Sequence, residues 1–360
     1  MSWQGIEGHD DVVQQFRLRI DSGRLASTFL FVGPDGIGKR TFALKLAQSL
    51  FCPERELRLL DPCGKCPSCV QLTAGSHPDL ILIQKPEEKS ELPVALLIGS
   101  KEKRMQEGFC HELWLKPTLG GRRVGIIDDA DFLNEEGANA LLKTLEEPPP
   151  GAVIILLSTS AERQLPTIRS RAQLVRFQPL PGELVAQLLL SRGAVTDPAE
   201  AQRLAAQAGG SLTQAMELAD PALWKFRQEL LAALAAPPLD SHALAKLTLA
   251  FIDEAGKEAP ARRARGRHVI GFVIDFYREV IAQLASAPSA APADLRDWAR
   301  SFCAREVVDL DGAVNCVERC LAALAHIDRY ANQSILYEAW LDALGGLTAP
   351  LRVTSAGPRG

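Results

Sequence analysis

No run of apolar residues in this 360-residue chain reaches the roughly 18 that a membrane-spanning helix requires, so a helical membrane protein is excluded. The opening stretch, Met1 to Glu7, holds neither a basic nor an apolar segment. That predicts the absence of a secretory signal and a cytoplasmic protein. An excess of positive charge is missing too: 40 Lys and Arg face 44 Asp and Glu, for a net charge of −4. A polyanion such as DNA is not held by that balance, and any contact with it must come through local patches or partners. Helix-turn-helix and finger spacings are absent, as is any repeat of fixed period. What remains is an ordinary globular composition, 47% hydrophobic and 23% charged, which is enough to bury a sizeable core. At about 150 residues per domain, two to three domains are expected.

The first half alternates short apolar runs with helical patterns. Phe29 to Val32, Leu80 to Ile83, Val124 to Ile127 and Val153 to Leu157 are each continuously apolar rather than alternating. Continuous runs suit parallel strands buried on both faces, so a doubly wound α/β layer is predicted over residues 1–179. Leu133 to Glu147 reads as a helix with Ala138, Leu141, Leu142 and Leu145 on one face, stopped by Pro148 to Pro150. After Pro179 the strand signal ends. A small helical domain is expected over 180–237, a larger all-helical one over 238–347 and a loose tail over 348–360.

Gly33-Pro34-Asp35-Gly36-Ile37-Gly38-Lys39 follows the first apolar run and opens a helix. In that context a glycine-rich loop cradles phosphates with backbone N–H groups, while the Lys reaches their oxygens. The next residue is Arg40, where the motif needs a hydroxyl for Mg²⁺. Thr41 is rotated about 100° further round the helix and substitutes poorly. The companion acids are Asp128 and Asp129, at the end of the third apolar run. Asp128 is placed to hold Mg²⁺; a solvated acid pair is the alternative reading. Asp129 is a methylene shorter than the Glu that usually positions water there. ATP and Mg²⁺ chemistry in this site is therefore expected to be impaired.

Cys63, Cys66 and Cys69 share a two-residue spacing, and Cys52 precedes them. In a reducing compartment such a cluster points to metal ligation before disulfides. Four thiolates close a tetrahedral Zn²⁺ site and leave no position for water, so the ion would be structural. A redox pair, or three free thiols, is the competing reading, and Cys52 is the less secure fourth ligand. Cys110, Cys303, Cys316 and Cys320 fall in apolar helical patterns and read as buried thiols.

Three further segments carry a resemblance: Asn139 to Pro149 (NALLKTLEEPP), Ile168-Arg169-Ser170-Arg171, and Gly75 to Asp79 behind the cysteines. With the loop and the acids, residues 3 to 180 resemble the clamp-loader subunits of the AAA+ class. The resemblance implies a P-loop α/β domain with a zinc-binding insert at 52–69, a helical lid and a C-terminal helical collar. It also implies partners: other loader subunits of the gamma/tau and delta types, with a sliding clamp and primed DNA reached through the complex. In that family a Ser-Arg-Cys triplet supplies an arginine finger to the ATP of a neighbouring subunit. Here the triplet is Ser170-Arg171-Ala172, which makes Arg171 the candidate and Arg169 its competitor. Thr159 lies in the segment that resembles the nucleotide sensor, and joins Gly33, Gly36, Gly38, Lys39, Asp128 and Asp129 in the degenerate nucleotide site. The family's Gly-Ser-x-Arg segment is Gly210-Ser211-Leu212-Thr213, with Thr213 at the Arg position.

Arg40, Asp129 and Thr213 together predict a subunit that does not turn over ATP but presents Arg171 to a neighbour. Two readings compete: an active gamma/tau-like ATPase subunit, and a stand-alone zinc-bearing DNA-binding protein. Two basic clusters, Lys101, Lys103, Arg104, Arg122 and Arg123, and Arg262, Arg263, Arg265 and Arg267, read as solvated surface or as DNA-backbone contacts.

Overall fold

The computed structural model describes residues 3–119, 121–236, 238–256, 258–289, 291–305, 308–328 and 332–348. The expected loose tail lies outside the described residues from 349 onward. The chain divides into two units, Met1–Ala219 and Asp220–Gly360.

The first unit runs α1 (Asp10–Asp21), β1 (Thr28–Val32), α2 (Lys39–Phe51), α3 (Pro67–Thr73), β2 (Leu80–Ile83), α4 (Val94–Ile98), α5 (Phe109–Trp114) and β3 (Arg123–Ile127). It continues with α6 (Glu135–Glu146), β4 (Ala152–Ser158), α7 (Pro166–Arg169), β5 (Gln173–Arg176), α8 (Gly182–Ser191), α9 (Pro198–Gln207) and α10 (Leu212–Glu217). The five strands form one sheet in the order β2-β3-β4-β1-β5, and every pairing is parallel. All residues of β1, β3 and β4 are buried. This is why their sequences are continuously apolar rather than alternating.

Alternation survives in the side-chain direction. Phe29 and Phe31 of β1 join Phe16, Phe42, Ile155 and Phe177 on one face of the sheet. Leu30 and Val32 join Leu97, Phe109, Leu141 and Leu156 on the other. The aromatic side is tightly knit: Phe42 lies 4.7 Å from Trp3 and 5.1 Å from Phe177, centroid to centroid. Truncating one such ring typically costs about 3–5 kcal/mol. β5 was not foreshadowed by an apolar run; it is a four-residue edge strand beside β1, and its Gln173 and Arg176 ends are polar.

The second unit is all helical: α11 (Pro221–Leu234), α12 (Ser241–Asp253), α13 (Ala259–Leu284), α14 (Ala293–Cys303), α15 (Leu310–Asp328) and α16 (Gln333–Leu347). Asp220 opens it by accepting the Ala222 N–H at the N-terminus of α11. The break thus falls inside the stretch expected as one small helical domain. Phe276, Tyr277, Phe302 and Tyr337 are fully buried in its core. Cys316 and Cys320 are buried there as expected, and Cys110 is buried in the first unit. Two arginines of the second basic cluster are held internally: Arg262 pairs with Asp253, and Arg265 pairs with Asp220 at 2.8 Å. In the first cluster Arg123 is buried, 3.8 Å from Asp79, so it is a core group rather than a surface cation. No described helix is long and apolar enough to cross a membrane.

Candidate nucleotide site and cysteine cluster

β1 ends at Val32, and the glycine-rich loop carries the chain into the first turn of α2. Gly36 and Gly38 have φ of 73° and 103°, in the left-handed region that a Cβ disfavours. Space also demands glycine at 36, since a Cβ there would sit 2.3 Å from Ser211 Oγ and 2.7 Å from Thr213 Cβ. The Leu212 N–H donates to the Gly36 carbonyl at 3.1 Å, so α10 starts directly against the loop. Buried His9 braces it as well. Its Nε2–H donates to the Ile37 carbonyl at 2.7 Å, and its ring meets Phe177 edge-on at 5.0 Å. Nothing in the sequence singled out this histidine.

Lys39 Nζ donates to the carbonyls of Gly33 and Pro34 at 2.6 and 2.7 Å and lies 3.7 Å from the Asp35 carboxylate. Burial pulls its pKa down, opposed by Asp35, Asp131 and Asp128. Arg40 crosses to the acidic motif: Nη1 is 3.1 Å from Asp128 Oδ2 and donates to Gln84 Oε1 at 2.9 Å. The carboxylate that a metal would use is thus already matched by a guanidinium. These residues do not fit Mg²⁺, because the hydroxyl ligand is missing and a fixed cation stands at the acid.

A cavity of about 370 Å³ opens over the loop. Gly36, Gly38, Lys39, Arg40 and Asp128 line it, with Arg192 from the end of α8. Ile6, Leu188, Leu212 and Met216 add an apolar wall. Gly33, Asp129 and Thr159 are not among the lining residues. Gly33 packs against Phe177, whose carbonyl oxygen a Cβ at 33 would meet at 2.5 Å. Asp129 has φ 57°; burial and the neighbouring Asp128 raise its pKa, with Lys85 opposing them. Thr159 is bound instead to Asp131, which accepts its N–H at 2.8 Å and its Oγ1–H at 2.5 Å. Asp131 also accepts from Ser158 Oγ and from Gln164 Nε2. It gathers the sensor-like segment at the end of β4. In the sequence it looked like one more loop acid.

Arg171 follows α7. Its Nε and Nη2 both donate to Glu146 of α6, the Nε bond at 2.8 Å, and Nη1 donates to the Thr167 carbonyl at 2.9 Å. The guanidinium is therefore oriented within its own subunit while remaining 30% exposed. No ion pair is found for Arg169 among the described residues.

The cysteine cluster lies beyond α2. The Sγ atoms of Cys52, Cys63, Cys66 and Cys69 all fall within 4.8 Å of one another, a set that can hold a metal ion. Backbone N–H groups point at the sulfurs: Cys63 N–H to Cys52 Sγ at 3.4 Å and Cys66 N–H to Cys63 Sγ at 3.3 Å. Amide donation, first from Lys65 and then from Cys66, holds the Cys63 thiol down to about 6, whereas burial pushes Cys69 up to about 12. Helix α3 is anchored beside the cluster by Gln48, whose Nε2 donates to the Cys69 carbonyl at 3.1 Å. His77 also holds it: the ring stacks on Phe51 at 4.1 Å and bonds Ser68 Oγ at 2.8 Å. Buried Asp79 accepts the N–H groups of Thr118 and Leu119 at 2.6 and 3.0 Å. The Gly75 to Asp79 segment is thus a structural joint.

The fold and the loop together define a P-loop α/β protein of the AAA+ type whose metal position is altered. The family described as DNA polymerase III, delta subunit, matches residues 8–181. The delta-prime subunit of DNA polymerase III from Pseudomonas aeruginosa is 39% identical over 194 residues, which is 54% of this chain and 56% of that protein. Its counterpart from Escherichia coli K12 is 33% identical over 67% of each chain. The gamma/tau subunit of Mycobacterium bovis is 32% identical over 62% of this chain and 37% of its own. The chain belongs to the family of DNA polymerase III delta-prime subunits.

Proposed function

We propose that this chain is a non-hydrolysing subunit of a clamp loader, and that it serves its neighbours through Arg171. The observation that carries the first half is the Arg40–Asp128 pair at 3.1 Å. An ATPase of this class needs a divalent ion between an acid and the phosphates, and a water held by a second acid. Here the first acid is taken up by a guanidinium and the second, Asp129, is short and placed off the cavity. Thr213 packs on Gly36 where a sensing Arg is expected, so the own-nucleotide sensor is missing too.

Arg171 supports the second half. A planar, permanently charged group suits the charge that develops on a transferred phosphoryl group. Glu146 holds it in a partly exposed position, and a neighbour's triphosphate would take the place of that carboxylate as its partner. The cysteine cluster adds a structural element: Cys52, Cys63, Cys66 and Cys69 would hold one Zn²⁺, which supplies loop closure and no chemistry. The partners of this reading are gamma/tau and delta subunits, with the sliding clamp and primed DNA reached through the assembly.

The test is reconstitution. Loader partners with this chain should load clamps on primed DNA, and the same mixture without it should load far fewer. Equal loading in both mixtures would remove the proposal. The matches to gamma/tau proteins favour an active motor as the second reading, and fast ATP turnover by the purified chain would select it.

A further inference from the structure

The misfit of the metal position deepens the reading of the same cavity, and the inference rests on that reading. We propose that the loop binds the phosphate tail of a nucleoside triphosphate without a divalent metal, with Arg40 serving where the ion would stand.

Four observations carry it. First, the loop keeps its phosphate-facing form: Gly36 and Gly38 remain left-handed, and among the described residues no protein acceptor takes their backbone N–H groups. Unpaired amides at the start of a 13-residue helix, facing a cavity of about 370 Å³, favour an anion. Second, Lys39 is bonded only to neutral carbonyls and, at 3.7 Å, to exposed Asp35. A phosphate oxygen is a stronger acceptor for it than a carbonyl. Third, Arg40 is fixed from one side by Asp128 and Gln84, yet its side chain stays half exposed at the cavity. A guanidinium offers five N–H donors in a fork, so two or three stay available for phosphate oxygens. Fourth, Arg192 gives the cavity a third cation, while Ile6, Leu188, Leu212 and Met216 offer an apolar wall for a base.

Charge explains why the metal is dispensable. A metal ion there would supply two positive charges against those of Asp128 and the phosphates. Here Arg40 already satisfies Asp128 and lends the remaining face of its fork to the tail. A metal ion entering the same place would meet a cation and find the Asp128 carboxylate already paired. No bond is broken in this scheme. The nucleotide is a resident ligand that braces the loop against α10 through the Gly36–Leu212 contact.

The experiment is a binding titration of the purified full chain with ATP carrying a fluorescent ribose substituent, once in excess EDTA and once in Mg²⁺. The expected result is binding in EDTA with an affinity within about threefold of that in Mg²⁺. Arg40→Thr should lose roughly 10- to 100-fold in EDTA, the worth of one or two charged hydrogen bonds, and regain binding when Mg²⁺ is added. Circular dichroism of both proteins controls for folding. If the unaltered chain needs Mg²⁺, with at least a tenfold loss in EDTA, the metal-free mode is overturned and the nucleotide pocket stands. If no binding occurs under either condition, the pocket reading falls and the inference with it.

Discussion

Replacing Arg171 by Ala isolates the role assigned to it in trans. Within its own subunit the guanidinium makes a pair with Glu146 and donates from Nη1 to the Thr167 carbonyl at 2.9 Å and to Ser170 Oγ at 3.2 Å. The side chains are 30% and 48% exposed, so solvent screens the pair, and its loss should cost no more than about 1 kcal/mol. For a unit of this size that lowers Tm by roughly 2–4 °C, and folding and assembly should survive. The effect on a neighbouring ATP site is of another order. Arginine fingers contribute about 10³ to 10⁵ in rate where they have been measured. A loader with several ATP sites should lose only the share of the site that Arg171 serves. The assay is DNA-stimulated ATP hydrolysis by the reconstituted complex, with Arg171→Lys and Arg169→Ala run beside it. Lys should restore little, because an ammonium lacks the planar fork, and Arg169→Ala should change little. An Arg171→Ala complex that hydrolyses ATP and loads clamps like its parent would refute the reasoning, leaving the subunit an architectural role only.

Three other outcomes follow, two at the cysteine cluster and one at Asp129. Purified protein should contain about one zinc per chain, and Cys69→Ser should lose it, as elemental analysis will show; zinc-free protein prepared without chelators contradicts this. Thiolate ligation also predicts that zinc is released as pH falls, because protons compete for the sulfurs. Asp129→Asn should raise Tm at pH 7, because burial and Asp128 lift the folded-state pKa of Asp129 above its ordinary 3.8. Asp129 thus favours folding only where it is protonated, and that contribution is lost as pH rises through the folded value. The Asn variant's advantage should therefore shrink as pH drops toward about 4, and Asn accepts the left-handed backbone as readily. A variant less stable than its parent at pH 7 would show that Asp129 is held by contacts rather than penalised.

Much of the first unit was legible. Four strands announce themselves as continuous apolar runs, which in β1, β3 and β4 reflect burial along the whole strand, and the loop stands between a strand and a helix as the phosphate-binding pattern requires. β5 was not legible, since a short edge strand with Gln173 and Arg176 at its ends carries no apolar run. The cysteines were legible by spacing, but the joint that holds them was not: Phe51, Ser68 and His77 meet only through folding. The same holds at the site. Sequence marked Arg40 as a lost metal ligand and Asp129 as a shortened acid, two separate defects. Only the fold brings Arg40 across to Asp128 and Gln84, 44 positions from the latter, and turns a missing hydroxyl into a substituted cation. Asp131 and His9 escaped for a related reason. Each acts by gripping backbone or hydroxyl groups far along the chain, and a lone His or a third consecutive-looking acid carries no periodic signal.

The central claim is that this subunit's own site does not perform ATP hydrolysis. The most direct measurement is steady-state phosphate release by the purified chain with saturating ATP and Mg²⁺, in the presence and absence of primed DNA. Loss of one well-placed catalytic group costs about 10² to 10³ in rate, and here both the metal position and the water-positioning acid are altered. The account predicts turnover no faster than about 10⁻² s⁻¹ under either condition, against the 1 s⁻¹ or more of working enzymes. Turnover near 1 s⁻¹ that vanishes in Lys39→Ala would contradict it and make this chain a motor.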